Sequence, residues 1–181
     1  LSKQFFICKK NCIKNLVIIN YNKIFNGHVK LIEDALKKCE KLIIFIGSHS
    51  NKRTQKNPFL FSERVEMIRM CVNNDNLIFI PLEDYDNDDE WIDSIVNSLN
   101  KITNKSNNVG IFGYCKDDSS YYIKLFPNYI NEIITESYFD CLSATPIRNA
   151  YLATGNVTSN NMNNNVIQYM KDKYEIVKNN I

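Results

Sequence analysis

Histidine and glycine are both scarce in this chain: His28 and His49 are the only imidazoles, and five glycines are spread over 181 residues. The six cysteines, Cys8, Cys12, Cys39, Cys71, Cys115 and Cys141, include no Cys-x-x-Cys pair. So few nitrogen and paired sulfur ligands argue against a zinc site. Cys39 and Cys71 fall in helical hydrophobic patterns as small apolar residues, which argues against a disulfide framework and for a reducing compartment, cytoplasmic or nuclear. Neither Gly-x-x-x-x-Gly-Lys nor Gly-x-Gly-x-x-Gly occurs, so those two phosphate cradles are excluded. No apolar run approaches the roughly 20 residues of a membrane span. No sign of charge dominates either: 22 Lys and Arg stand against 20 Asp and Glu, for a net charge of +2. That mixture calls for neither a nucleic acid nor a membrane as partner. Arginine occurs only four times and asparagine 27 times, so an isolated asparagine carries little weight.

What the chain does have is a hydrophobic content of 44%, enough for a core, and a length suited to one domain. Residues 1–14 read as a peripheral segment and 15–181 as the domain. Leu16-Val17-Ile18-Ile19, Leu42-Ile43-Ile44-Phe45-Ile46, Leu77-Ile78-Phe79-Ile80 and Val109-Gly110-Ile111-Phe112-Gly113 are short apolar runs of the kind buried parallel strands show. Tyr129 to Thr135 is a candidate fifth strand. Between them lie helical spacings: Val29, Ile32, Ala35, Leu36 and Cys39; then Val65, Ile68 and Val72; then Trp91, Ile92, Ile95, Val96 and Leu99. Asn26 can cap the first helix, and Pro146 suits the first turn of another that runs to about Leu152. Residues 155–165, rich in Gly, Asn, Ser and Thr, read as a mobile loop, and Val166, Tyr169, Met170 and Ile176 as one last helix. The alternation predicts a Rossmann-like, doubly wound parallel sheet of about five strands with helices on both faces. Ligands of such sheets bind beyond the carboxyl ends of the strands, so the chemistry is sought in the segments just after them.

After the first strand comes Phe25-Asn26-Gly27-His28, leading straight into a helix. Gly27 admits a phosphate close to the backbone, the helix start offers N–H groups and partial positive charge, and His28 can donate to a phosphoryl oxygen. Further along stand Gly47-Ser48, then Arg53 with Lys56-Asn57-Pro58-Phe59 and Glu63-Arg64, then Pro81-Leu82-Glu83-Asp84-Tyr85 and Trp91. Lys116-Asp117-Asp118-Ser119-Ser120-Tyr121-Tyr122, Leu125-Phe126-Pro127 and Ser143-Ala144-Thr145-Pro146-Ile147-Arg148 complete the series. On their own these segments allow blander readings. Trp91 at helical spacing with Ile95 suits a core, Arg53 and Lys56 suit solvated loop charges, and Glu63 with Arg64 reads best as the cap and surface decoration of a helix.

In order and spacing the series resembles the nicotinamide-mononucleotide adenylyltransferase family over roughly residues 15–152. It is most similar to the archaeal type and to the adenylyltransferase half of bifunctional proteins that also carry a Nudix hydrolase; no Nudix domain is expected after residue 152. The resemblance implies that ATP and nicotinamide mononucleotide, or its acid form, give NAD and pyrophosphate, with Mg2+ bound mainly through the phosphates. It implies that Asn26, Gly27 and His28 meet the ATP phosphates and that Ser143, Thr145 and Arg148 form a second phosphate-binding segment. It also implies that Trp91 stacks on the nicotinamide ring, that Arg53 and Asn57 lie in the loop that approaches the mononucleotide, and that Lys116, Asp117 and Ser119 lie near the nucleotide. The family's Gly-Arg-Phe-Gln-Pro-Phe-His-x-Gly-His is changed here to Ile19-Asn20-Tyr21-Asn22-Lys23-Ile24-Phe25-Asn26-Gly27-His28. Asn20 and Phe25 therefore replace an Arg and a His that bind phosphate, with Lys23 and then His49 as candidates to supply the lost charge and imidazole. Two further readings stand beside the enzyme: a non-catalytic nucleotide-binding relative, as sensor or assembly partner, and a transferase of altered substrate such as a cytidylyltransferase. A homo-oligomer is compatible with the sequence.

Overall fold

The computed structural model describes residues 13–18, 26–49, 52–104, 108–114, 125–126, 130–134, 144–157 and 160–181; for 13–18, 113–114, 130–134 and 144 it describes the backbone alone. In chain order the elements are β1 (Ile13–Ile18), α1 (Asn26–Leu36), β2 (Cys39–Ile46), α2 (Phe61–Cys71), β3 (Leu77–Pro81) and α3 (Asp88–Thr103). They continue with β4 (Val109–Tyr114), β5 (Ile130–Ile134), α4 (Ala144–Thr154), α5 (Asn164–Asp172) and α6 (Tyr174–Lys178). The strands make one sheet in the order β3-β2-β1-β4-β5, and every pairing is parallel. The chain builds outward from β1 through β2 to β3, then crosses back to place β4 on the other side of β1. In sheets of this kind the point where the strand order reverses, here between β1 and β4, is where ligands bind, beyond the carboxyl ends of the strands.

Side chains alternate along a strand, and β2 shows what each face meets. Leu42, Ile44 and Ile46 pack with Leu31, Ile32 and Ala35 of α1 and with Ile68 of α2. Ile43 and Phe45 face Ile95 and Leu99 of α3, joined by Val109, Ile111 and Phe126. From Leu42 to Ile46 every residue is fully buried, which is why this strand reads as an unbroken apolar run. A third cluster sits outside the sheet: Tyr151 of α4, Val166 and Met170 of α5 and Val177 of α6 close over Met67 of α2.

Several boundaries differ from the sequence reading. β1 starts at Ile13, so the domain takes in residues assigned to the peripheral segment. Cys39 is not helical: α1 stops at Leu36, a two-residue turn comes next, and Cys39 opens β2 while its thiol donates to the Ala35 carbonyl at 3.2 Å. The last helix is two, separated at Lys173. The loop after α4 is not simply a mobile connection. Val157 and Met162 are buried in the third cluster, and the Asn161 carbonyl accepts the backbone N–H of Asn26 at 2.8 Å. Tyr129, Thr135 and Ile19 lie outside the described residues.

Candidate functional site

The chemistry-bearing residues that are described lie at starts of helices and in the turn after β2. α1 opens with Asn26-Gly27-His28 and α4 with Ala144-Thr145-Pro146-Ile147-Arg148. Helix geometry leaves first-turn N–H groups without intrahelical acceptors, and their partial positive charge favours anions. The first turns differ in a way that selects between them. α3 has Asp88, Asp89 and Glu90 there, which neutralise its dipole, and α2 has Glu63, whereas α1, α4 and α5 have no acidic residue in the first turn; of these, α5 is already capped by the Asn163 side chain, which accepts the Asn165 N–H. One donor of α1 is already satisfied, since Asn26 donates to Asn161. His28 is half-buried two residues further on.

Arg148 stands on the fifth residue of α4 and is half-buried, whereas Tyr151, three residues on, is fully buried. The other three arginines are engaged. Arg53 is bonded to Glu63, Arg64 to backbone carbonyls, and Arg69 lies 5.1 Å from the Phe79 ring centre. Among the described residues no hydrogen bond or ion pair reaches the Arg148 guanidinium. Thr145 is exposed. Ser143, Lys23, Lys116, Asp117 and Ser119 lie outside the described residues, as do Asn20 and Phe25.

The turn after β2 is held from below. Arg64, 7% exposed, donates from Nη1 to the Gly47 carbonyl at 2.7 Å and from Nη2 to the Ser48 carbonyl at 3.4 Å. Burial pushes its guanidinium pKa below the usual value, against the opposite pull of the Asp84 carboxylate. A buried cation needs such acceptors, and here they fix the backbone of a turn in which Ser48 adopts a left-handed φ of 50°. The Ser48 hydroxyl donates to Asp84 at 3.0 Å, and the His49 N–H donates to the Leu82 carbonyl at 2.9 Å. The turns after β2 and β3 are thereby tied together. The His49 ring stands edge-on to Phe61 with centroids 5.6 Å apart.

Arg53 does not stand free in its loop. Nη1 donates to the Pro58 carbonyl at 2.8 Å and to Glu63 Oε2 at 2.5 Å, and Nη2 donates to Glu63 Oε1 at 2.9 Å. Both side chains are less than a tenth exposed. The Arg53 fork thus holds the loop in which Asn57 stands. Thr54 and Asn57 close a tight turn, with Thr54 N–H donating to the Asn57 carbonyl and Asn57 N–H to the Thr54 hydroxyl. The reading of Glu63 and Arg64 as surface decoration is corrected, because both are buried. Glu63 does cap: it accepts the Leu60 N–H at 2.9 Å, although leucine has no acceptor to return the bond. Burial alone would raise the Glu63 carboxyl. The Arg53 fork, the Leu60 N–H and the charges of Arg53 and Lys173 outweigh it and hold the group below the ordinary carboxylate range.

A group depressed in this way stabilises the fold above its unfolded pKa of about 4.3, and that contribution is lost as pH falls through the lower folded value. Glu63→Gln should therefore cost about 1.5–3 kcal/mol at pH 7, the scale of hydrogen bonds to a charged group. Thermal midpoints of both proteins between pH 7 and pH 3 should converge at the acid end. A gap that stays constant with pH would remove the carboxylate from the account.

Trp91 lies in the first turn of α3, half-buried, its ring 6.0 Å from that of Phe126. It borders the core without being enclosed in it, as a side chain that stacks on a ligand must. Among the described residues no group of three or more His, Cys, Asp or Glu is arranged to hold a metal ion, and no helix is long and apolar enough to cross a membrane.

The Cytidylyltransferase-like family model matches residues 20–176. The chain is 35% identical over 148 residues to a nicotinamide/nicotinic acid mononucleotide adenylyltransferase of Acinetobacter baylyi, covering 80% of this chain and 78% of that one. It is 30% identical over 142 residues to a nicotinamide-nucleotide adenylyltransferase of Thermococcus kodakarensis, covering 75% and 70%. Among solved structures, a bifunctional NMN adenylyltransferase/ADP ribose pyrophosphatase of Francisella tularensis, complexed with AMP and a manganese ion, superposes with a TM-score of 0.76 at 27% identity. That match takes in 92% of this chain and 52% of that protein, so the chain spans about half of the bifunctional enzyme.

Proposed function

The chain belongs to the Cytidylyltransferase-like family and, within it, to the nicotinamide-mononucleotide adenylyltransferases, and from that membership we propose that it joins ATP to a pyridine mononucleotide to make NAD and pyrophosphate. The non-catalytic alternative is not favoured, since the relatives on which the membership rests are themselves adenylyltransferases. The observation that carries the assignment of roles is Arg148, a cation without a partner among the described residues, on a helix whose first turn holds no acid.

A phosphate oxygen of the mononucleotide attacks the α-phosphorus of ATP. The new P–O bond forms as the bond from that phosphorus to the α,β-bridging oxygen breaks, and pyrophosphate leaves with the electron pair. Such transfers ask little covalent work of the protein; holding the reactants in line and balancing the developing charge provide most of the rate. The starts of α1 and α4 receive the triphosphate, with Asn26, Gly27 and His28 on one side and Ser143, Thr145 and Arg148 on the other. A magnesium ion, carried mainly by the phosphates, would neutralise part of their charge. Asn57 faces the mononucleotide from the loop after β2, Trp91 stacks on its ring, and Lys116 and Asp117 serve the nucleotide after β4.

The test is to incubate the protein with ATP, Mg2+ and nicotinamide mononucleotide and to quantify NAD and pyrophosphate. Formation of both in equal amounts is expected; bound ATP with no NAD would establish the sensor reading instead. Trp91, the single tryptophan, gives an independent signal. Its fluorescence should be quenched on addition of NAD, and Trp91→Ala should raise the KM for the mononucleotide while leaving that for ATP near its original value. Unchanged emission would return Trp91 to the core.

A further inference from the structure

Glu63 sits where three parts of the molecule meet. Its two oxygens take the fork of Arg53 from the loop 52–60, the Leu60 N–H from the start of α2 and, at 3.9 Å, the ammonium of Lys173 between α5 and α6. The same Arg53 fork bonds the Pro58 carbonyl, so it fixes the backbone just before Phe59. The Phe59 ring is stacked on Tyr151 of α4, with centroids 5.4 Å apart and planes 29° from parallel. Tyr151 is fully buried, donates its hydroxyl to the Met170 carbonyl at 2.9 Å, and meets the edge of Tyr174 at 5.6 Å. Ile147, one turn before it on the same face of α4, packs into the same cluster. Arg148 comes directly after Ile147. A continuous path of a buried ion pair, a backbone carbonyl, a ring stack and a packed helix face thus joins the loop bearing Asn57 to the helix bearing Arg148.

We propose that Arg53 and Glu63 are positioning residues that tie the loop bearing Asn57 to α4, so that the mononucleotide and the triphosphate are bound cooperatively rather than independently. The substrate assignments rest on the function proposed above; the mechanical tie does not. Packed cores have discrete arrangements and deform little, so a loop fixed in place by its ligand restricts the helix stacked against it. By linkage, the helix held by phosphate must favour the loop equally. A guanidinium fork suits this task better than an ammonium, because its bidentate pairing fixes direction as well as distance.

The test uses the full chain with Arg53→Ala, Arg53→Lys, Phe59→Leu and the double variant Arg53→Ala/Phe59→Leu. Mononucleotide KM should rise about 10-fold in Arg53→Ala, within the usual span of coupling between sites, and ATP KM should rise in the same variant although Arg53 touches no phosphate. Arg53→Lys should recover the charge and only part of the effect. The double variant should be little worse than either single change, since both cut one path. An ATP KM that stays at the wild-type value in every variant, or single effects that simply multiply, would overturn the proposal. Hydrogen exchange on the ligand-free proteins reads the tie without any activity. In Arg53→Ala the amides of α4 from Ile147 to Thr154 should exchange faster, along with those of Asn57, Phe59 and Leu60. If α4 is unaffected, the tie does not exist even in an enzyme that makes NAD. If α4 responds while the wild-type protein makes no NAD, the tie stands and the functional assignment falls.

Discussion

Replacing Arg148 with alanine should weaken ATP binding by about 10- to 150-fold, the equivalent of roughly 1.5–3 kcal/mol for a hydrogen bond to a charged group. The size is set by where the residue stands. It lies one turn inside α4, where the helix start already favours negative charge, and a bidentate guanidinium adds directed hydrogen bonds to that field. Because no protein group among the described residues pairs with it, its removal should leave the fold nearly as stable as before. Calorimetric titration with a non-hydrolysable ATP analogue measures the first quantity and thermal unfolding the second. Arg148→Lys should fall between wild type and alanine, since it keeps the charge and loses the fork. An unchanged affinity in Arg148→Ala would take the residue out of the site; a weakened affinity with a large fall in stability would mark it as structural.

How much of this could be read from the residues alone depended on how local each cause was. β2 was legible because both of its faces are buried, so five successive positions from Leu42 to Ile46 had to be apolar. α1 and α3 were legible because each buries a single stripe against one face of the sheet. Cys39 continues the helical spacing of Ala35 in the sequence, yet the Lys37-Lys38 turn between them puts it in β2. The loop 155–165 looked mobile on composition, and composition says nothing of Val157 and Met162, two apolar residues that find a cluster made largely by helices.

The buried charges were the larger miss, and their partners explain it. Glu63 meets Arg53 ten residues away and Arg64 meets Gly47 seventeen away, separations at which no sequence pattern operates. A signal did exist one level up. Met67 and Ile68 are core residues, and Glu63 and Arg64 precede each by four, which places them on the same inward face of α2. A charged pair on the buried stripe of a helix calls for partners, and the scarce arginines were the place to seek them. What the resemblance supplied, by contrast, was the identity of segments whose spacing alone is weak: a Gly-His before a helix, and a Ser, Thr and Arg around the start of another.

The largest effect is expected from restoring what the first of those segments has lost. Seven residues, 19 to 25, join β1, which ends at Ile18, to α1, which starts at Asn26. In the family this stretch carries an Arg and a His that bind phosphate; here Asn20 and Phe25 stand in those positions, outside the described residues. A phenyl ring donates no hydrogen bond, and a phosphate oxygen left unpaired in a dry site loses stabilisation as charge develops on it. Removing one preorganised donor commonly costs about 100- to 1000-fold in turnover, so the double change Asn20→Arg with Phe25→His should raise kcat by about 100-fold or more. Because the gain belongs to the transition state, kcat should move further than the KM of either substrate. Lys23, two residues before Phe25 on the same connection, offers a competing outcome, since its long stem can carry a charge to the same phosphate. If the double change has no effect and Lys23→Ala abolishes NAD formation, the lysine has taken over the role. If the double change raises kcat and Lys23→Ala then costs little, the family arrangement was the better one and this chain works without it at a reduced rate.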